Sequence, residues 1–169
     1  MTGTAEAGDQ FGLTVAVAQI LDLTAAEGIV VGVPRDRVSG VPAAGAVQVF
    51  WGQPGGPSAD GDAEELVSQD TRGIRGGAET GDLFGASLAI VMVAGWNQGD
   101  LLIGAPGETL AGIQHAGAEL QPSAFGYVGD PGTESSAINY FFSAGSEGAK
   151  GPREPNGAFG AALSNPGRL

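Results

Sequence analysis

The sequence predicts an all-β chain made of two successive four-stranded antiparallel sheets, with the first strand of a third. Three observations lead there. A segment of about 73 residues recurs along the chain, turn-forming residues punctuate it, and the apolar runs between them are short. Of the 169 residues 31 are glycine and 10 proline, a composition that weakens helices and supplies many tight turns. Apolar residues at 42% and charged residues at 15% are enough for a packed core and argue against wholesale disorder.

The repeat comes first because it decides the architecture. Ala5 to Gly12 (AEAGDQFG) returns as Ala78 to Gly85 (AETGDLFG), offset by 73 residues. Ile29 to Pro34 (IVVGVP) returns as Leu101 to Pro106 (LLIGAP), and Ala44-Gly45-Ala46 returns as Ala116-Gly117-Ala118, both offset by 72. A third copy opens near the end, where Gly148 to Leu163 echoes Gly73 to Leu88 at an offset of 75. That echo keeps Phe159-Gly160 in the place of Phe84-Gly85 but puts Gly157 where Asp82 stands. These offsets divide the chain into units over 5–76 and 77–151 and an incomplete unit over 152–169.

Each unit has room for four strands. In the first copy they are Leu13 to Leu21, β-branched and partly alternating; Ile29 to Val33, closed by Pro34; Ala46 to Trp51; and Glu65 to Gln69. The same places in the second copy hold Ala86 to Val93, Leu101 to Ala105, a third strand around Ala118, and Ile138 to Ser143. Pro122 cannot donate a ladder hydrogen bond, so the third strand of copy two is expected to be an edge, bent or missing. Gly52 to Glu64 and Tyr127 to Ala137 are rich in Gly, Pro, Ser and Asp and read as surface loops.

The order Phe-Gly, apolar strand, loop, Gly-x-Pro, about ten residues, Gly-Ala resembles the FG-GAP repeat of integrin α-type β-propellers and of bacterial secreted proteins. Its carriers are Phe84-Gly85, Asp100 to Pro106 and Gly117-Ala118 in copy two, and Phe11-Gly12, Gly32-Val33-Pro34 and Gly45-Ala46 in copy one. The resemblance implies a partial β-propeller of two blades plus the first strand of a third. It also implies an extracellular, adhesion-type recognition role with ligands held by loops, and Phe11 and Phe84 in equivalent buried places. Such blades also accompany secreted lipase- or phospholipase-like hydrolases, so an accessory module of that kind stays open, as does a structural remnant without a ligand.

The resemblance also raises calcium, which family blades bind in the loop between their first two strands. A hard cation of this kind takes six to eight oxygen ligands. Counted from Phe84 without gaps, the ligand places fall on Met92, Ala94, Trp96 and Asp100, and only the last is an oxygen donor. Asp100 and Asn97 in copy two, and Asp22 and Glu27 in copy one, are the remaining weak candidates, too few for a cage. No metal or other cofactor is therefore expected, and Asp100 is read as a turn-capping carboxylate.

The net charge of −12 disfavours phosphate backbones and anionic membrane surfaces. No apolar stretch reaches the ~20 residues of a membrane-spanning helix, and Met1 to Gln10 has neither the basic nor the apolar region of a signal peptide. The chain has no cysteine, which removes disulfides and thiolate metal sites. His115 is the single histidine, and no G-x-S-x-G elbow or phosphate-binding glycine loop is present. Ser87 lies in a repeated strand position, where packing explains it. The expectation is a non-enzymatic protein that binds a protein or glycan partner, with self-association or further blades to cover its open sheet faces. Arg35, Asp36, Arg37, Glu108 and His115 are the loop residues placed to touch a partner.

Overall fold

The computed structural model describes residues 4–18, 27–56, 64–92, 99–121, 140–147 and 149–164. Among them there is no helix, and the strands form two antiparallel sheets of four. The first sheet contains β1 (Thr14–Ala18), β2 (Gly28–Val33), β3 (Ala46–Phe50) and β4 (Glu64–Val67), hydrogen-bonded in chain order. The second repeats this order with β5 (Ser87–Met92), β6 (Gly99–Ala105), β7 (Ala118–Gln121) and β8 (Tyr140–Phe142). Every neighbouring pair is sequential in the chain, so each sheet is a simple meander.

The registers carry the repeat into three dimensions. Thr14 pairs with Gly32 in the first sheet, and Ser87 pairs with Gly104 in the second. Val33 pairs with Ala46, and Ala105 with Ala118. Each of these second-sheet residues lies 72 or 73 positions after its first-sheet counterpart.

The core lies between the two sheets, where β1 rests against β5. Val30, Val47, Val49 and Val67 of copy one meet Phe84, Ile90, Leu101, Ile103, Ala105 and Ala118 of copy two in one buried cluster. A single twisted sheet must bury one apolar face to be stable, and here each copy supplies what the other covers.

Two expectations need correction, and a third falls partly outside the described residues. The third strand of copy two is neither missing nor at an edge: β7 is bonded to β6 on one side and β8 on the other. Gln121 is its last paired residue, and Pro122 lies outside the described residues. Phe11 and Phe84 are not equally buried: Phe84 is completely covered and Phe11 is 51% exposed. The covering of Phe84 comes from copy one, and Phe11 has no earlier copy among the described residues. Finally, the third copy shows no strand within 149–164; its Phe159 makes only an isolated parallel bridge with Gly117. The rest of that expected strand, 165–169, lies outside the described residues.

Candidate functional site at the junction between copies

The Phe-Gly turn of one copy seats on the turns of the copy before it, and the chain builds this junction twice. The Phe84 N–H donates to the Ala44 carbonyl at 2.9 Å, and the Phe159 N–H to the Ala116 carbonyl at 3.1 Å. Leu83 bonds to Ala43 and Ala158 to His115 in the same way. The Thr14 hydroxyl donates to the Gly85 carbonyl at 2.8 Å, and the Ser87 hydroxyl to the Gly160 carbonyl at 2.5 Å. Ser87 is thus held in a structural bond at the seam.

Glycine is required where the two backbones touch. A Cβ on Gly32 would overlap the Gly85 carbonyl oxygen, and one on Gly104 would overlap that of Gly160. Gly85 itself has φ 88°, a left-handed conformation that costs an L side chain steric strain. The three motif segments of the repeat are therefore parts of a single contact: the Phe-Gly turn is the plug, and the Gly-x-Pro and Gly-Ala turns are the seat.

A buried polar cluster sits beside this contact. Gln69, just past β4, donates its Nε2 to Glu108 Oε2 at 2.5 Å, and the two residues are 3% and 4% exposed. Asp82, 1% exposed, accepts the Glu79 N–H on Oδ2 at 2.6 Å, while its Oδ1 has no hydrogen-bond partner among the described residues. Gly76 packs on the Gln69 amide, leaving no room there for a side chain. Burial pushes the Glu108 carboxyl up to about 7; the Gln69 amide opposes the rise, and the Asp82 and Glu79 charges add to it. Burial also raises Asp82 to about 6, opposed by the Glu79 N–H and reinforced by the Glu79 charge, with His115 acting downward. Copy one repeats the carboxylate pair as Asp9 and Asp36, in a more open setting. There Asp36 is raised first by burial and next by Asp9.

The other loop residues are distributed differently. Arg35 and Arg37 are exposed, and Arg37 Nε stands 3.4 Å from Glu6 Oε2. Arg37 and Glu6 border an open polar cleft of about 360 Å³ that includes Thr4, Asp36, Ser39 and Ser68. His115 is exposed, with Nδ1 3.1 Å from Asn156 Oδ1 in the third copy's turn. Glu108, expected on a contact loop, is instead buried in the seam.

Of the weak cation candidates, Glu27 is exposed immediately before β2. Asp100 is the second residue of β6, paired with Val91, so it stands in a strand and not in a turn. Asp22 and Asn97 lie outside the described residues. Among the described residues no group of three or more His, Cys, Asp or Glu is placed to hold a metal ion. No described helix is long and apolar enough to cross a membrane.

The Gln69–Asp82–Glu108 cluster was not singled out from sequence, although a signal for it existed. An acid recurs two residues before Phe-Gly, as Asp9 and Asp82, and another recurs two residues after Gly-x-Pro, as Asp36 and Glu108. Recurrence at both places marks a pair, but only the folded chain brings its members together.

No protein-family model and no curated protein matches the chain.

Proposed function

We propose that this chain is a non-enzymatic recognition module, two FG-GAP-type blades of a β-propeller and the opening turn of a third, that binds a protein or glycan through its inter-strand loops. The observation that carries this reading is the junction made twice with the same bonds. Phe84-Gly85 on copy one and Phe159-Gly160 on copy two use matching donors, acceptors and glycines. A contact that repeats in one direction along the chain suits a stack of blades, each seating the next.

The bare side of copy one fits the same reading. Phe11, Leu13, Val15 and Val17 form an exposed apolar row that alternates with Thr14 and Ala16. Their counterparts in copy two include Phe84 and Ile90, which copy one covers. The row is suited to one further sheet of this repeat type. Binding falls to the exposed side chains around the open cleft and the neighbouring loops, Arg35, Arg37 and His115 among them.

The test is binding of the purified chain to panels of extracellular proteins and glycans, repeated with Arg35→Ala, Arg37→Ala and His115→Ala. Binding that these changes weaken by tenfold or more, with melting temperature intact, is expected. No binding across both panels, or binding indifferent to all three, overturns the recognition role. Sedimentation velocity tests the stacking separately: association that Val15→Lys abolishes supports it, and a strictly monomeric, fully folded chain at all concentrations argues against the row as a docking face.

A further inference from the structure

The buried cluster beside the seam has more acid than it has partners. Two carboxylates, Glu108 and Asp82, meet one amide donor, Gln69 Nε2, and one backbone donor, the Glu79 N–H. Asp82 Oδ1 and Gln69 Oε1 are buried and lack hydrogen bonds among the described residues. Adding Glu79 brings the acidic groups to three, and among the described residues the cation-forming group that acts there is His115, on Asp82. Two buried carboxylates without an opposing cation cannot both ionise cheaply. A proton on either one removes a buried charge and supplies a donor that the cluster otherwise lacks.

The cluster's location gives the proton a mechanical consequence. Gln69 belongs to the end of β4 in copy one. Asp82 belongs to the Phe-Gly turn of copy two, and Glu108 to its Gly-x-Pro turn. The Gly107 N–H binds the Asp82 carbonyl at 2.9 Å, so the two turns of copy two move as one body. Gln69–Glu108 is thus a side-chain strut across the seam, tied through the Gly107 N–H to Asp82, which precedes the Phe84 plug by two residues.

We propose that Gln69, Asp82 and Glu108 form a proton-dependent latch that holds copy two against copy one when a carboxyl is protonated and loosens the seam when both are ionised. The latch is independent of any role in recognition, because it needs only the two copies of this chain. It makes the seam firm in mildly acidic solution and freer above neutrality. Copy one's Asp9 and Asp36 lack a counterpart of Gln69 among the described residues, so the device belongs to the seam and not to the repeat in general.

The experiment follows the wild-type chain, Glu108→Gln and Asp82→Asn from pH 5 to pH 8.5 by thermal unfolding and by hydrogen exchange, corrected for the intrinsic pH dependence of exchange. The reporter is the Phe84 amide, which spans the seam to Ala44, and the control is the Val49 amide inside the first sheet. In the wild type, Phe84 protection relative to Val49 is expected to fall about tenfold or more across this range, the equivalent of one pKa unit of differential interaction. Glu108→Gln should flatten that dependence and hold the seam closed at pH 8.5, with Asp82→Asn acting in the same direction. A Phe84/Val49 ratio that does not change with pH, or a Glu108→Gln chain that keeps the wild-type dependence, overturns the latch. If Glu108→Gln fails to fold, carboxyl-carbon NMR of the wild type decides: a Glu108 midpoint above 6 supports the proposal, and one near the ordinary 4.5 ends it. Calcium that restores Phe84 protection in the wild type at pH 8.5 but not in Glu108→Gln would assign the cluster to a cation instead and overturn it as well.

Discussion

Phe11 and Phe84 hold the same position in two copies of one repeat, with nearly the same neighbours in sequence. Phe84 is fully buried and Phe11 is half exposed. The same contrast runs along the strands that follow: Val15 and Val17 are 57% and 54% exposed, whereas Ile90, the counterpart of Val17, is 4% exposed. Local structure is not the cause, because both turns share the left-handed glycine, Gly12 at φ 83° and Gly85 at φ 88°, and both strands pair in the same register. What differs is the copy in front. A residue's burial in this protein is a property of the seam: the places that copy one covers in copy two are exposed in copy one itself.

The largest expected effect uses this contrast directly. Phe84→Ala removes a ring from the inter-copy core and should cost about 3–5 kcal/mol. Phe11→Ala removes a half-exposed ring and should cost less than about 1 kcal/mol. Urea unfolding of the two variants measures the difference; equal costs would mean that Phe11 is covered in solution, by association or by further chain.

The next effect separates the two seams. Gly32→Ala and Gly104→Ala each drive a methyl group into a carbonyl of the following copy, at Gly85 and Gly160. Gly85 is tied into a complete sheet, so Gly32→Ala should destabilise by about 2–3 kcal/mol. Gly160 sits in a segment with no strand pairing among the described residues, which should keep the cost of Gly104→Ala nearer to ~1 kcal/mol. Reversal of this order in denaturant titrations would show that the third turn is bound more firmly than the second.

The pH dependence sharpens the comparison between Asp82–Glu108 and Asp9–Asp36. Carboxyls at about 6 and about 7 in the folded chain take up protons more readily than in the unfolded chain, where they return to ordinary values. The folded state therefore binds more protons, and stability falls as pH rises from about 4 through about 7. The loss attributable to this pair is on the order of 1–3 kcal/mol, measurable as the difference in unfolding free energy between wild type and Glu108→Gln at each pH. Replacing Asp36 by Asn should change the profile less, since Asp36 is only partly buried.

The smallest effects concern single polar contacts. Thr14→Val deprives the Gly85 carbonyl of its hydroxyl donor and should cost about 1 kcal/mol. Arg37→Ala breaks a half-exposed ion pair with Glu6 and should stay within ~0.5 kcal/mol of wild type. A larger loss from Arg37 would point to a role for the cleft in stability beyond that pair.

Much of the fold was legible in the sequence because turns and strands are local. The Gly-x-Pro stops predicted the ends of β2 and β6 to within a residue, since proline cannot continue a ladder. Pro122 misled because a proline was taken to weaken the whole strand, whereas Ala118 to Gln121 pair on both sides ahead of it. The seam residues were legible only as recurring letters. Nothing local tells that Gly32 must yield to the carbonyl of Gly85, or that Gln69 reaches a glutamate 39 positions away.

By itself, the sequence determined that the chain repeats, that each repeat is strands joined by glycine-held turns, and where those turns fall. These follow from backbone sterics and hydrophobic periodicity, which act over a few residues. Only the tertiary structure decided which copy of Phe-Gly is buried, why the paired glycines cannot carry a side chain, and which carboxylates share a buried seam. Burial and electrostatic strength depend on what lies across a contact, and that is set by the packing of one copy on another, long after the local chain has taken its shape.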